Sequence, residues 1–492
     1  MTDPVSRREV DVLVVGGGCS GAAAGIQAAR AGARTLVCEE TPWLGGMITA
    51  AGVSAVDGNE GALGGGIFRA FRDFVEAHYG GREAVRTGWV SNTCFEPQLG
   101  AKWFRETLQA SGAEALHGAR LREVLRDGNV IRGAVFETPK GVVEVRAKVT
   151  IEATEYGDVL ELGRVPYRFG RESRAQTGEP HAPEAPDLEV QDLTMVATLR
   201  RSEGKAKPVA LPAGLDVSRF DCSTSQICSI PDPAYWNHKL HDWESFLTYS
   251  LLPGGMFMLN WPFHSNDYPA QGLFGTREER AQTIARAKER TLAYVHYIQN
   301  HLGHPEWGLA EGVYPTADHL PLMPYVRESR RVVPVRWMVE QDVVPQDGSR
   351  RNVVRKDGVA VGDYYLDHHH DKDHRPPGQR LGEDYPSNAP FQISWSAMLP
   401  QGIEGLIAAE KCIGVTHIVN GCSRLQPVAI AIGQAAGEAA AQAARSGKGL
   451  HELQVASVQK ALIDAGCVCV PDREVGCDNP RFGARQRELL GL

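Results

Sequence analysis

The sequence predicts an α/β protein built on a parallel sheet, with an inserted region of mixed helix and strand. Three observations predict this fold class. A short apolar run at residues 10–15 ends in glycines and is followed by an alanine-rich helical pattern. Residues 115–151 alternate between apolar and polar types, as β-hairpins do. A long pattern rich in alanine and glycine follows Pro427, and proline suits a first helical turn.

The chain opens with a strand–helix–strand unit. Residues 10–15 are almost wholly apolar, which is typical of a buried parallel strand. The pattern G-x-G-x-x-G begins at Gly16, residues 19–31 favour a helix, and residues 33–38 favour a second strand. Glu39 ends that strand, 18 residues after the last glycine of the pattern. This order predicts a Rossmann-like unit that binds a dinucleotide.

Each residue of this pattern has a physical role. Gly16 lets the chain turn sharply, Gly18 has no Cβ and lets a pyrophosphate approach the backbone, and Gly21 lets helix and strand pack closely. The free N–H groups and the positive end of the helix dipole then face the phosphates. The Glu39 carboxylate stands where it can accept hydrogen bonds from adenosine ribose hydroxyls.

Composition limits the class of protein. The chain has 492 residues, 42% hydrophobic and 23% charged, a net charge of -8 and a pI near 6.1. These values predict a globular protein that binds neither nucleic acid nor an anionic membrane. No apolar signal precedes the first strand and no apolar run is long enough to span a bilayer, so we expect a cytoplasmic location. The 10 cysteines are then expected to be free thiols, Cys222 and Cys228 included.

The elements between residues 40 and 154 follow in order. A glycine pair, Gly45-Gly46, allows another close approach of backbone to ligand. Helices are predicted at 67–78 and 99–110. The alternating stretch at 115–151, broken by two turn signals, predicts a β-meander inserted before a strand at 149–154 returns to the parallel sheet.

The middle of the chain mixes elements. Strands are predicted at 193–199 and 332–339, and an amphipathic helix at 277–301. A strand at 405–409 and the long helix that begins at Pro427 then complete the first domain.

Several motifs together resemble the family of FAD-dependent oxidoreductases. The resembling stretches are LVCEETPWLGGM (36–47), IEATEYGDVLELGRVPYRFGRES (151–173), NWPFHSNDYP (260–269), YVRESRRV (325–332), VGDYYLDHH (361–369) and the block at 399–440. They span about four fifths of the chain. The resemblance implies an FAD-binding fold of the glutathione-reductase type, and FAD as the cofactor. One departure is Glu155, which stands where this fold usually has glycine.

The fingerprint and the resemblance together imply a set of FAD contacts. They are Gly16, Gly18, Cys19, Ser20, Gly21, Glu39, Glu40, Gly45, Gly46, Met47, Ala153, Thr154 and Gln426. The implied domains are 1–165, the first part of the FAD-binding domain with a helical insert at 60–110; 166–395, an α+β substrate domain; 396–447, the last part of the FAD-binding domain; and 448–492, a C-terminal helical tail.

The polar cluster DHHHDKDH at 367–374 has three interpretations. It could be a solvated loop or a set of metal ligands. The resemblance suggests instead that Asp367 and His369 match a recurrent Asp-x-His pattern, in which histidine takes a substrate proton beside the flavin. Arg424 matches a recurrent arginine that could hold a flavin carbonyl or a substrate oxygen. Arg327 could bind an anionic substrate or pair with an acid. These four residues are the predicted catalytic set, and no metal is assigned.

The function implied is an FAD-dependent oxidoreductase of the dehydrogenase or oxidase type. It would transfer hydride between flavin N5 and a small organic substrate, and oxygen or an external acceptor would reoxidise it. The chain has no cysteine pair after Gly46 and no second G-x-G-x-x-G unit, which disfavours a disulfide reductase and a built-in NAD(P)H domain. Two alternatives stay open: a flavin monooxygenase that uses external NAD(P)H and oxygen, and a flavin-binding protein without turnover. The sequence indicates no oligomeric state.

Overall fold

The computed structural model describes residues 5–58, 65–86, 91–228, 241–261, 264–349, 351–370, 385–472 and 475–492. The strands are β1 Val5–Val15, β2 Thr35–Glu39, β3 Glu114–His117, β4 Arg120–Asp127, β5 Val130–Thr138, β6 Gly141–Glu152, β7 Tyr167–Arg168, β8 Leu193–Thr194, β9 Ala197–Arg201, β10 Leu251–Leu252, β11 Met256–Leu259, β12 Asp267–Tyr268, β13 Trp307–Leu309, β14 Arg331–Val332, β15 Gly358–Gly362, β16 Phe391–Ser394 and β17 Leu406–Ala408.

The α-helices are α1 Cys19–Arg30, α2 Gly66–Tyr79, α3 Arg82–Val85, α4 Pro97–Ser111, α5 Asp158–Leu162, α6 Arg174–Thr177, α7 Trp243–Thr248, α8 Arg277–Asn300, α9 Trp395–Met398, α10 His417–Ser423, α11 Gln426–Ser446, α12 Val455–Asp464 and α13 Phe482–Leu490. Short 3-10 turns, such as Gly46–Ile48 and Glu410–Cys412, lie between them.

A seven-stranded sheet forms the centre of the molecule, with the order β3-β2-β1-β6-β5-β4 and β17 paired to β6. Strands β3, β2, β1, β6 and β17 run parallel, which confirms the predicted α/β class. Strands β4, β5 and β6 form the predicted meander. The last meander strand and the strand that returns to the parallel sheet are one continuous element, β6, rather than two. The carboxyl ends of β1, β2 and β6 therefore meet beside α1.

Helices α1 and α11 pack backbone to backbone at two glycines of α11. A Cβ added at Gly433 would lie 2.0 Å from the Ser20 carbonyl oxygen, and one at Gly437 would lie 2.3 Å from that of Ala24. Only glycine permits so close an approach. The alanine and glycine content of α11 thus fixes the last flanking helix of the sheet against the first.

A second hydrophobic core lies in the middle of the chain. The antiparallel sheet β10-β11-β9-β13 packs there against α8 through buried residues such as Leu199, Phe257, Tyr294 and Ile298. A capping box begins α8, because the Thr276 side chain and Glu279 bond each other's backbone N–H groups. The predicted domain boundaries themselves remain a prediction.

Two strand predictions in this region were wrong. The stretch 193–199 is split into β8 and β9, which belong to different sheets. Of the stretch 332–339, only Val332 lies in a strand, β14 (Arg331–Val332). The backbone N–H groups of several residues after it donate to carbonyl oxygens of irregular segments. The apolar residues of 193–199 are buried, so burial accounts for their pattern there. In 332–339 Val332 and Met338 are buried, whereas Val335 is 51% exposed.

The expectation of free thiols was wrong for one pair. Cys222 and Cys228 form a disulfide that closes a loop with a sequence separation of 6, and the other eight cysteines are not disulfide-bonded.

In the part of the chain that is described, none of the helices combines the length and apolarity that crossing a lipid bilayer requires. Asp371, Asp373 and His374 of the predicted polar cluster lie outside the described residues.

Candidate functional site

A cavity of about 560 Å³ opens at the carboxyl ends of β1, β2 and β6. Seven of the predicted contact residues line it: Gly16, Gly18, Glu39, Glu40, Gly46, Ala153 and Thr154. Arg120, Arg280 and Arg330 line it too, and sequence reasoning assigned none of them to this site. Arg280 and Arg330 each pair with Asp158, so their charges are partly neutralised within the wall.

The Glu39 carboxylate sits at the end of β2, as the sequence predicts. Its two oxygens accept hydrogen bonds from the backbone N–H groups of Gly17 and Thr41, each at 2.7 Å. Burial raises the pKa of this carboxyl, and the two N–H groups oppose that effect. Glu39 therefore ties the glycine loop to the end of β2 and faces the cavity from a fixed position.

Six predicted contact residues lie apart from the cavity wall: Cys19, Ser20, Gly21, Gly45, Met47 and Gln426. The Cys19 thiol donates to the Gly45 carbonyl oxygen at 3.0 Å. A Cβ at Gly21 would lie 1.9 Å from the Gly16 carbonyl oxygen, which confirms the close helix–strand packing expected there. The Gln426 side chain, at the start of α11, accepts from the Asp57 backbone N–H at 3.2 Å.

Glu155 makes a polar contact that glycine could not. Its Oε2 lies 2.6 Å from Nζ of the buried Lys411, which also donates to Glu410 at 2.8 Å. Glu410 in turn accepts from the Ser20 backbone N–H, in the first turn of α1. Three buried charged side chains thus lie against the glycine loop.

A second polar cluster is built around His369. The ring Nδ1 lies 2.9 Å from Asp267 Oδ2, and Nε2 lies 3.1 Å from Asp367 Oδ2. The two carboxylates thus hold the imidazole ring from both of its nitrogens. Arg327 and His369 oppose the effect of burial and lower the pKa of Asp267 to about 2. His369 also lowers the pKa of Asp367, together with Arg424.

The two predicted arginines lie in the same cluster. Arg424, at the end of α10, donates to Asp367 Oδ2 at 2.7 Å and to the Tyr325 hydroxyl at 2.5 Å. Arg327 is 1% exposed, and its guanidinium donates to Asp267 Oδ1 at 3.2 Å. Of the two interpretations of Arg327, the structure shows the pairing with an acid. The four predicted residues are therefore brought together, with Asp267 as the fifth member.

Asp57 is a member of this group that sequence reasoning missed. Its carboxyl faces Arg424, Asp367 and His369, and burial raises its pKa to about 7, with Arg424 opposing. No motif pointed to it, because it follows a run of small residues after the Gly46–Ile48 turn. Among the described residues, no three histidine, cysteine or acidic side chains are grouped in a way that could hold a metal ion.

The parallel sheet, the glycine loop and the cavity beside it define an α/β protein of the Rossmann-like type. Residues 11–462 match the family described as FAD dependent oxidoreductase, and the chain belongs to this family of flavin-dependent enzymes. No curated protein matches the chain.

Solved structures with similarity to the chain are distant. One is a geranylgeranyl bacteriochlorophyll reductase-like protein from Thermoplasma acidophilum, at 13% identity and a TM-score of 0.39, covering 99% of this chain and 100% of that chain. Another is L-proline dehydrogenase from P. horikoshii, at 18% identity and a TM-score of 0.20, covering 31% and 23%. A third is CabE, an aromatic hydroxylase from angucycline biosynthesis, at 18% identity and a TM-score of 0.26, covering 41% and 38%. The chain spans less than half the length of the last two proteins.

Proposed function

We propose that this protein is an FAD-dependent oxidoreductase that transfers hydride between flavin N5 and a small organic substrate. The observation that carries the proposal is the charged cluster of Asp57, Asp267, Asp367, His369 and Arg424, of which Asp267 and Arg424 are buried and the others partly buried. It is joined to α11 through the Gln426–Asp57 contact, within a chain of a flavin-dependent family. Clustered ionisable groups with shifted pKa values are typical of sites that move protons.

The adenosine end of FAD fits the cavity beside β2. Glu39 would accept bonds from the ribose hydroxyls, and Gly16, which lines the cavity without a side chain, would let the adenosine end approach the sheet. The cavity volume of about 560 Å³ lies within the usual range for cofactor sites. When bound, FAD would supply the two-electron acceptor for the hydride.

The residues of the polar cluster would divide the remaining tasks. Asp267 and Asp367 hold His369 by both nitrogens, so the ring is fixed in a position from which it would stabilise an alkoxide or enolate oxygen. Arg424 fixes Asp367 and adds a positive charge. Asp57, with its pKa raised to about 7, would accept the substrate proton near neutral pH. Oxygen or an external acceptor would close the cycle.

The first experiment is an absorption spectrum of the purified protein, recorded before and after denaturation and precipitation. Flavin bands that pass to the supernatant would support non-covalent FAD, and bands that stay in the pellet would indicate a covalent link.

The second experiment mixes the protein anaerobically with small alcohols, amines and hydroxy acids. The compound class that contains the substrate should bleach the flavin absorption. Substrate-stimulated NAD(P)H consumption would indicate a monooxygenase instead. Protein without flavin bands, even after incubation with FAD, would contradict the proposal.

A further inference from the structure

Three charged side chains are buried together on the carboxyl side of the parallel sheet. Glu155 follows β6, and Glu410 and Lys411 follow β17. Lys411 Nζ lies 2.6 Å from Glu155 Oε2 and donates to Glu410 Oε1 at 2.8 Å. Glu155 is 9% exposed, Glu410 1% and Lys411 2%. We call this set the Glu155–Glu410–Lys411 cluster.

The cluster occupies the place that a diphosphate takes in a Rossmann-like unit. The Ser20 N–H, in the first turn of α1, donates to Glu410 Oε2 at 2.8 Å. A Cβ added at Gly18 would lie 3.1 Å from Glu155 Oε1, and one at Gly46 would lie 2.8 Å from the same atom. Phosphate oxygens are expected over this glycine loop and helix N-terminus. Carboxylate oxygens of the chain itself stand there instead.

Two further features indicate that the cluster is built for an incoming group. Glu410 has a φ of 55°, in the left-handed region that favours glycine, so a carboxylate is placed there against the backbone preference. Glu155 Oε1 is buried and has no hydrogen-bond partner among the described residues. A buried carboxylate oxygen without a donor is costly unless a ligand or a proton completes it.

We propose that this cluster is a built-in occupant of the diphosphate site, and that a dinucleotide diphosphate binds only when Glu155 takes up a proton from solvent, Glu410 moves away from the Ser20 N–H and Lys411 turns to the phosphates. The proposal rests on the proposed FAD function. With both carboxylates ionised, the diphosphate would face two like charges against the single charge of Lys411. Protonation of Glu155 removes one of these like charges, and the movement of Glu410 frees the Ser20 N–H for a phosphate oxygen. Affinity for the diphosphate is then expected to fall as the pH rises.

Charged and titratable groups face the cluster from each neighbouring element. Cys19 lies on α1, Glu39 and Glu40 end β2, and Tyr156 and Asp158 follow Glu155, with Arg280 of α8 against them. Cys19 and Tyr156 have pKa values well above neutrality, because both are buried. Burial, opposed by Lys411, raises the pKa of Glu155 to about 7, so Glu155 is the group that titrates in the neutral range.

The test measures the dissociation constants of FAD, ADP and adenosine at pH 6 to 9, by flavin fluorescence and by calorimetry on the apoprotein. If one proton is taken up on binding, the dissociation constants of FAD and ADP should each rise about tenfold per pH unit above pH 7. Adenosine lacks the diphosphate, and its dissociation constant should stay constant. Calorimetry in buffers of different ionisation enthalpy should report the same proton uptake.

Glu155→Gln and Glu410→Gln keep the side-chain shape and remove a charge. Each should tighten FAD and ADP binding at pH 8.5 by about tenfold or more, and Glu155→Gln should flatten the pH dependence. Glu438→Gln is the matched control, because this buried acid bonds Gln27 between α1 and α11, away from the cluster. It should bind as the wild type does. Thermal melts would identify a variant that fails to fold. In that case the pH dependence of the wild-type dissociation constants for FAD and ADP tests the proposal alone.

The outcomes separate the two proposals. Wild-type protein that binds FAD and ADP with a pH-independent constant and no proton uptake would overturn the inference and leave the FAD function standing. Binding of FAD by the glutamine variants and not by the wild type at pH 8.5 would support both. Binding of FAD by neither the wild type nor any variant at any pH would overturn the proposed function and the inference together.

Discussion

Nδ1 of His369 lies 2.9 Å from Oδ2 of Asp267, although the two residues are 102 positions apart in the chain. With Asp367 on the other ring nitrogen, the imidazole is held from both sides. This arrangement fixes the position of the ring, which would be free to turn in a solvated loop. A group fixed in advance needs no reorganisation when negative charge develops on a substrate.

We expect His369→Gln to lower turnover by about 10²- to 10⁴-fold, the usual contribution of a residue that handles a proton or its charge. Flavin content should remain unchanged, because His369 does not line the dinucleotide cavity. Turnover and the flavin spectrum are the two measurements. His451→Gln is the control, since this exposed histidine contacts the Ile403 carbonyl oxygen elsewhere and should keep full activity. Equal loss in both variants would contradict a specific role for His369.

The pH dependence of oxidation should follow Asp57. Burial raises its pKa to about 7, and a proton acceptor works only in its ionised form, so the rate should increase with pH up to about 7 and then level. The measurement is the rate of flavin reduction by substrate, followed under anaerobic stopped-flow conditions between pH 5 and 9. Asp57→Asn should abolish most of the rate of flavin reduction, and with it the ascending limb, which is the rise of that rate with pH up to about 7. An unchanged limb in this variant would assign the titration to another group.

Gly433→Ala should destabilise the protein by about 1–3 kcal/mol, as overpacking usually does. Its Cβ would lie 2.0 Å from the Ser20 carbonyl oxygen, so α1 and α11 must separate. Denaturant unfolding gives the free energy of unfolding. Gly483→Ala on α13 is the matched helical control: its Cβ would meet only Ile463, at 3.6 Å, and alanine favours helix. The control substitution should leave the free energy of unfolding unchanged or raise it slightly. A similar decrease of that free energy in both variants would contradict the packing argument.

Thiol titration should distinguish the disulfide from the free cysteines. Denatured protein without reductant should react with eight equivalents of a thiol reagent, and reduced protein with ten. Because the Cys222–Cys228 loop is short, its closure should add only about 2 kcal/mol to the free energy of unfolding. A Cys222→Ser, Cys228→Ser double variant should show that loss and no sensitivity to reductant. Ten reactive thiols before reduction would exclude the pairing.

The sequence predicted those parts of the fold that depend on local patterns. The glycine fingerprint, the position of Glu39 and the meander follow from spacing within short segments, and the structure confirms them. The end of a parallel strand is fixed by the strand itself, so Glu39 could be placed without knowing the rest of the chain.

The polar clusters depend on long-range contacts that spacing does not encode. Asp267 was grouped with another motif, and Asp57 had no motif at all, yet both face His369 in the folded chain. Glu410 shows the same limit, because its contact with Ser20 spans 390 positions. Buried irregular segments, such as the one that carries Arg327, also lack the periodicity from which strands are predicted.

The contact of Gly433 and Gly437 with α1 has a consequence for synthesis of the chain. The first βαβ unit leaves the ribosome about 400 residues before the helix that covers it, and proteins are made at about 5–20 residues per second. For roughly 20–80 seconds, the surface of α1 that α11 buries is therefore exposed in the nascent protein. The longer this interval, the more the nascent protein should depend on chaperones and the more harmful early termination should be. A fragment that ends before α11 should aggregate.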